Sequence, residues 1–320
     1  MRAQEGAALT FPPYEQEHWV ACQHYADRPW EDIVTLWHAY NVHLAHVISN
    51  IPEERRDVPC VIESASPVTL GFLASDYGER YDRDWPELPE IAWLREGRLR
   101  AGARVFDLGA SYGVVAMMLA DEVGEGGAVL ALEADPDDAA TMARNRELNA
   151  KAQLECVHAA VARVSGTIEF GRNGSVDDGR GRWGRTSVPS FAIDDLTARH
   201  GVPDVVFIDV EGYELEALRG APDTLAAGPE WFVEIHEPAA LARYGATTED
   251  VLSVLTDAGY DVWTLADAGY FVDDAGIVRP VAAPAPLAAT PRQLLRERFF
   301  ALASRERSTD VRPGAPSAPQ

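Results

Sequence analysis

Lysine is almost absent from this chain of 320 residues, since Lys151 is the only one. Positive charge is scarce altogether: 28 Lys and Arg stand against 51 Asp and Glu, which gives a formal net charge of -23. Proteins that bind the phosphate backbone of nucleic acids usually need clustered positive charge. The charge balance therefore disfavours nucleic acid as a partner and favours a small-molecule substrate or a protein partner.

Cysteine and long apolar runs are scarce as well. Cys22, Cys60 and Cys156 are odd in number and lack the spacing of a metal site, as is typical of a reducing cytosol. The chain has no run of about 18 apolar residues to cross a membrane, and its start, Met-Arg-Ala-Gln-Glu, has no apolar signal core. We expect a cytoplasmic protein without a membrane segment.

The segment Arg104–Ala120 lacks the third glycine of a dinucleotide-binding loop. It begins with a β-prone pair, passes through Asp107, Gly109 and Gly113, and then takes on the apolar spacing of a helix. A strand, a glycine-rich turn and a helix open a doubly wound α/β fold. We expect the glycines to let the backbone approach a ligand, at which the helix aims its N–H groups. Because NAD(P) loops read G-x-G-x-x-G, an NAD(P)-dependent oxidoreductase is only the alternative function.

Four further core strands are predicted, and each of them ends in an acid or a histidine. They are Ala128–Glu133, Gln153–His158, Asp204–Asp209 and Trp231–His236. In open α/β sheets, ligands bind outside the carboxyl ends of the strands. We therefore expect Glu133 to accept hydrogen bonds from ribose hydroxyls, and His158 with Ala159 to lie where an adenine ring would be.

Two motifs carry a family resemblance. Asp107-x-Gly109-x-x-x-Gly113 resembles the first motif of the class I S-adenosylmethionine (AdoMet) methyltransferases. Ile208-Asp-Val-Glu-Gly-Tyr-Glu214, followed by Leu218-Arg-Gly-Ala221, resembles the marker segment of their FkbM family, and Ile193-Asp194, Glu234-Ile-His236, Asn145 and Asn149 match as well. The resemblance covers about residues 75 to 275.

The resemblance implies a Rossmann-like, doubly wound α/β sheet of seven strands, the last antiparallel, with AdoMet as the cofactor. In that family the acid that ends the first strand and the loop backbone hold the amino-acid end of AdoMet. The residues expected to contact the cofactor are Asp107, Gly109, Ala110, Ser111, Gly113, Glu133, Ala134, His158, Ala159 and Asp209.

The resemblance also implies the reaction, which is methylation, mostly of a hydroxyl oxygen on a sugar or natural product. Nucleic-acid enzymes of this fold that methylate nitrogen usually carry Asn/Asp-Pro-Pro-aromatic where this chain has Asp209-Val-Glu-Gly212. One departure concerns Phe207, where the family often has a lysine, so no role of that lysine transfers to this chain. A non-catalytic methyltransferase-like scaffold is a further alternative, which the intact loop and Glu133 disfavour.

Asp209, Glu211 and His236 are the predicted catalytic residues. Methyl transfer is an in-line displacement, so the enzyme mainly aligns the acceptor, and a base helps when the acceptor is a neutral hydroxyl. The ordinary pKa of His236 suits a base, whereas a carboxylate needs burial to become one. Glu211 has a second interpretation, stabilisation of the dipole of the next helix. Two carboxylates without an Asn or a third acid predict no metal site.

The chain is predicted to have three parts. Residues 1–75 form a helical cap that sets the substrate, and residues 76–278 form the methyltransferase core. Residues 279–320 comprise an Ala/Pro-rich linker, an amphipathic helix over 291–305 and a disordered tail. A homodimer is the expected assembly.

Two features of the core depart from simple strand–helix alternation. Thr167–Phe170 and Thr186–Val188 predict a hairpin around an arginine-rich loop, residues 171–185. Such a loop is either a lid, whose arginines could contact an anionic substrate, or disordered. Tyr260–Leu265 and Tyr270–Val272 are the predicted closing strands of the sheet.

Overall fold

The structure is a computed structural model that describes residues 57–62, 68–73, 98–171, 175–176, 185–266 and 284–305. The chain divides into two compact units, residues 1–60 with 71–80 and residues 61–70 with 81–320. The predicted helices of the N-terminal cap lie outside the described residues.

The described strands fall into three sheets. In chain order they are β1 Asp57–Ile62, β2 Val68–Leu73, β3 Arg104–Leu108, β4 Ala128–Glu133, β5 Leu154–His158, β6 Ala160–Val161, β7 Gly166–Gly171, β8 Ser175–Val176, β9 Arg185–Phe191, β10 Val205–Ile208, β11 Glu230–Ile235, β12 Asp261–Ala266, β13 Ala285–Pro286 and β14 Phe299–Ser304. Strands β1 and β2 pair only with each other among the described strands.

Helices follow most strands of the core. They are α1 Val114–Val123, α2 Pro136–Leu148, α3 Ile193–His200, α4 Glu214–Arg219, α5 Pro222–Ala227, α6 Pro238–Ala242 and α7 Thr248–Asp257. Asp135 caps α2 by accepting hydrogen bonds from the amides of Asp137 and Asp138, and Thr247 opens α7 with a capping box. None of the helices in the described part of the chain is long and apolar enough to span a bilayer.

The central sheet has the order β13-β12-β14-β11-β10-β3-β4-β5. Strands β5, β4, β3, β10 and β11 are parallel, and β14 runs antiparallel to both β11 and β12. Seven longer strands with one antiparallel member confirm the class I methyltransferase fold, to which the two-residue strand β13 adds an eighth. The chain leaves β3 toward β5 and later continues from β10 toward β11, so the topological switch point lies between β3 and β10.

The position of the antiparallel strand differs from the prediction. The helix expected over residues 291–305 is wrong, since Phe299–Ser304 form β14 and a single short turn of 3₁₀ helix, Leu294–Arg296, precedes it. All six residues of β14 are buried. A strand covered on both faces lacks alternation and is difficult to distinguish from a helix by its pattern. Tyr270–Val272, predicted to be a closing strand, lies outside the described residues.

A second, smaller sheet has the order β6-β9-β7-β8. The predicted hairpin is confirmed, because β7 pairs antiparallel with β9 and brings Ile168 opposite Val188. Phe170, Val188 and Ala160 form a small apolar cluster of their own. Most of the arginine-rich loop between β8 and β9 lies outside the described residues.

Candidate active site at the carboxyl edge of the sheet

The turn after β3 lies directly against the end of β10. Gly109 has a φ of 95°, and a Cβ on it would lie 1.7 Å from the carbonyl oxygen of Asp209. The amide of Asp209 in turn donates to the carbonyl of Leu108 at 2.9 Å. Only glycine fits this approach, so the missing side chain lets two strand ends meet. This contact is a reason for glycine that is internal to the fold, and the expected approach of a ligand to Gly109 stays a prediction.

The four loop amides predicted to hold the cofactor donate hydrogen bonds within the chain. Those of Gly109 and Ala110 both donate to the Leu132 carbonyl at 2.9 Å, and that of Gly113 donates to the Ala110 carbonyl at 2.8 Å. The Ser111 amide donates to Glu133 Oε2 at 2.8 Å. The loop is therefore fixed by β4. Because its amides are engaged in these bonds, carboxylates are the main polar groups that remain for a ligand.

Gly113 is the N-cap of α1, and its surroundings differ from those of Gly124 at the other end of the helix. Substitution of each glycine by alanine therefore gives a matched comparison. The φ of Gly113 is 80°, and a Cβ would lie 2.8 Å from Cγ of Met142 on α2, whereas Gly124 has a φ of 66° and no atom within 4 Å of a Cβ. We expect Gly113→Ala to lower the free energy of unfolding by about 2–3 kcal/mol, against about 1 kcal/mol for Gly124→Ala.

Urea denaturation of both variants measures the difference. Equal losses of stability would mean that Met142 moves aside without an energetic penalty and that α2 does not constrain the loop.

Asn145, also on α2, holds the loop by a hydrogen bond. Its side chain is fully buried and its Nδ2 donates to the Tyr112 carbonyl at 2.8 Å.

Three carboxylates crowd this loop. Burial, followed by the charge of Glu133, raises the pKa of Asp107 to about 7. Burial and the nearby Glu133 and Asp135 raise the pKa of Asp138 to about 7 as well. Asp107 is 5% exposed, and its buried Oδ2 has no hydrogen-bond partner among the described residues. A buried oxygen of this kind is suited to a cationic or hydrogen-bond-donating ligand.

The predicted ribose and adenine positions lie beside these acids. Glu133 is 8% exposed and accepts one amide on each oxygen, that of Ser111 at 2.8 Å and that of Asp135 at 2.7 Å. Burial raises the pKa of Glu133, and these two amides oppose the rise. His158 is exposed, with Nε2 3.1 Å from the Ala134 carbonyl, and Ala159 is buried and donates to the Glu133 carbonyl at 2.9 Å.

The three predicted catalytic residues meet at the ends of β10 and β11. Nε2 of His236 lies 3.3 Å from Glu211 Oε2 and 3.8 Å from Asp209 Oδ1. Its Nδ1 lies 2.7 Å from Oε1 of Glu214, a fully buried carboxylate that also accepts the Gly212 amide at 2.9 Å. His236 is 2% exposed, while the side chains of Asp209 and Glu211 are 44% and 55% exposed.

These contacts change the protonation expected for the cluster. Burial disfavours the imidazolium, but Glu211, Glu214 and Asp209 outweigh it and raise the pKa of His236 to about 11. Burial and the charge of Glu234 raise the pKa of Asp209 well above its ordinary value, and the ion pair with His236 lowers that of Glu211. His236 is therefore protonated at neutral pH in this environment. It does not have the ordinary pKa on which its predicted role as a base depended.

Three further residues complete the cluster, and none was predicted to be part of it. Glu214 belongs to the family motif without a predicted role of its own, yet it fixes His236. Glu234 stands two residues before His236 on the same face of β11, a spacing that could have revealed it. Arg298, which directly precedes β14, forms an ion pair through Nε with Glu234 Oε1. Because β14 was not recognised as a strand, no signal in the sequence placed Arg298 here.

A cavity of about 600 Å³ lies at the other edge of the sheet. Arg104, Ala128 and Leu154, the first residues of β3, β4 and β5, line it together with Arg146 and His200. It is therefore separate from the carboxyl edge that carries the predicted site residues.

Residues 107–262 match the family described as the methyltransferase FkbM domain. This segment belongs to the FkbM methyltransferase family. The match spans the loop after β3, the Asp-Val-Glu-Gly segment after β10 and the end of β11, the three places where the site residues lie. It confirms the family resemblance and favours an AdoMet-dependent methyltransferase over an oxidoreductase.

Solved structures resemble this chain only distantly, and none of the curated proteins compared with it matches in sequence. A SAM-dependent methyltransferase from Aquifex aeolicus is 14% identical over 68% of this chain and 88% of that chain, with a TM-score of 0.38. A SAM-dependent O-methyltransferase from Thermotoga maritima is 13% identical over 77% of each chain, with a TM-score of 0.38. Fibrillarin from Aeropyrum pernix with natively bound S-adenosyl-L-methionine is 13% identical over 75% and 90%, with a TM-score of 0.39. Likenesses this distant carry no argument about the reaction.

Proposed function

We propose that this FkbM methyltransferase transfers a methyl group from AdoMet to a hydroxyl oxygen of a small organic molecule. The observation that carries the proposal is that carboxylate oxygens of Asp209 and Glu211 both lie within 3.8 Å of Nε2 of His236 at the ends of β10 and β11. Asp209 is at the same time the residue on which Gly109 packs, so the cluster adjoins the loop that follows β3.

The residues of the loop fit AdoMet by charge. When bound, AdoMet supplies a methyl group on a positively charged sulfur, and its amino-acid end carries an ammonium group. Asp107 would hold that ammonium through its buried, unpartnered Oδ2, and Glu133 would accept the ribose hydroxyls. Each oxygen of Glu133 accepts one amide and retains a lone pair for a further donor.

The cluster would orient and deprotonate the acceptor. Asp209 is 44% exposed and packs against the loop that follows β3, and it would accept the hydroxyl proton as the oxygen forms its bond to the methyl carbon. His236, held by Glu214, would keep Asp209 and Glu211 in place. The acids of the loop after β3 and those at the ends of β10 and β11 favour a neutral or cationic acceptor over an anionic one.

Asp209→Asn and His236→Gln test these roles with labelled AdoMet and a panel of hydroxylated metabolites. Loss of general-base assistance is expected to lower kcat by roughly 100-fold or more in Asp209→Asn. Calorimetry with AdoMet separates this loss from any contact that Asp209 makes with the cofactor. Glu237→Gln, an exposed acid directly after His236, is the matched control and should retain full turnover. Full turnover in both site variants would refute the assignment, and transfer only to nitrogen acceptors would refute the substrate class.

A further inference from the structure

We propose that Asp209, Glu234 and His236 form a binding site for a divalent transition-metal ion. Each of the three offers one ligand atom, and these atoms lie within 4.8 Å of one another. Ligand atoms that share one ion at about 2.1 Å lie roughly 3–4 Å apart, so small side-chain rotations bring the three into coordination.

Strand register explains why these residues meet. Ile208, the last residue of β10, pairs with Val233 of β11, so the next positions, Asp209 and Glu234, are neighbours. His236 lies two residues after Glu234 and therefore on the same face of the chain. Asp209 and Glu211 alone predict no metal site. The register of the two strands adds Glu234 as a further acid and His236 as a nitrogen ligand.

The histidine provides the second and independent indication. His236 is 2% exposed, and its buried Nε2 makes no hydrogen bond of good geometry within the described chain, although Glu211 Oε2 is 3.3 Å away. Buried polar atoms are almost always paired. Its other nitrogen is fixed by Glu214, and a carboxylate–histidine pair of this kind orients the imidazole at many metal centres. A cation at Nε2 would take the place of the proton there.

Access and ligand chemistry limit the kind of ion. Asp209 is 44% exposed, so an ion can enter from solvent, while Glu234 is 5% exposed and keeps free lone pairs beside its contact with Arg298. One imidazole and two carboxylates suit Mn²⁺, Fe²⁺ or Zn²⁺ better than Mg²⁺ or Ca²⁺, which prefer oxygen ligands only. If the proposed function holds, the open coordination positions would bind the acceptor hydroxyl and lower its pKa.

Manganese binding to the chelator-treated full chain tests the proposal. Titration followed by electron paramagnetic resonance is expected to show one tightly bound Mn²⁺ per chain, displaced by Zn²⁺. Asp209→Asn and Glu234→Gln should each weaken binding at least tenfold, whereas Glu237→Gln should leave it unchanged. That control accounts for weak binding by the acidic surface, since the chain carries a net charge of -23.

Circular dichroism verifies that each variant is folded. The half-exposed Asp209 is the substitution least expected to disturb packing, so it decides the outcome if Glu234→Gln unfolds. Absence of a bound Mn²⁺ or Zn²⁺ at millimolar concentration, or unchanged binding by Asp209→Asn, would overturn the site. Because the readout is metal binding, a protein that binds Mn²⁺ but methylates no hydroxyl would refute the proposed function alone.

Discussion

A chain that ends at Arg298 is expected not to fold, because the deletion removes a strand from the interior of the central sheet. β14 pairs with β11 on one side and β12 on the other, and all six of its residues are buried. Its loss takes Phe299, Phe300 and Leu302 out of the core, at about 1.5–3 kcal/mol each. Their sum is comparable with the whole stability of a typical domain, about 5–15 kcal/mol.

Soluble expression and thermal unfolding followed by circular dichroism measure the effect. A chain that ends at Arg305 is the matched control, since it retains β14, and we expect it to unfold cooperatively near the temperature of the full chain. Cooperative unfolding of the shorter chain at that same temperature would contradict the role of β14 in the core.

The same strand shows where sequence reasoning fails. Phe299-Phe-Ala-Leu-Ala-Ser304 follows an arginine-rich stretch, and alanine, leucine and arginine are strong helix formers. What makes the segment a strand is the space between β11 and β12, a long-range property that no local pattern contains. Strands β3, β4, β10 and β11 were predictable because a short apolar run ends in each case at an acid, a glycine or a histidine.

The structure brings the three predicted catalytic residues together, but the charge state expected for His236 differs from the one that its surroundings favour. The turn after β3 and the acids after β4 and β10 follow from the strand–turn–helix pattern. The protonation of His236 does not, because it depends on Glu214, which lies 22 positions earlier in the chain and reaches the imidazole only when α4 packs beside β11. At Gly109 the glycine pattern predicts a close approach of the backbone, but that this approach involves the Asp209 carbonyl follows only from the fold.

Asp107→Asn is expected to stabilise the protein at neutral pH while strongly weakening cofactor binding. Because the pKa of Asp107 is raised from 3.8 to about 7 in the folded state, the folded protein binds its proton more tightly than the unfolded chain does. The stability that this proton contributes is complete below about pH 4 and is lost as the pH rises to 7, by up to about 4 kcal/mol. The variant has no charge to bury, so its advantage over wild type should grow across this interval.

The affinity for AdoMet should change in the opposite direction to the stability. An ammonium group requires the charged form of Asp107, so the affinity of the wild type for AdoMet is expected to fall about tenfold per pH unit below pH 7. The variant should bind at least about 100-fold more weakly at pH 8 and show little dependence on pH, since loss of a buried charge pair costs about 3–5 kcal/mol.

Urea denaturation and AdoMet calorimetry between pH 5 and pH 8.5 separate the two effects. A variant that is less stable than wild type at pH 8 would mean that the buried carboxylate has a partner within the protein itself. Undiminished AdoMet affinity in the variant would mean that the cofactor does not contact Asp107. The buried charge of Asp107 destabilises the fold and finds its partner only in the bound cofactor. Substitution of such a residue should therefore raise the stability of the protein and weaken AdoMet binding at the same time.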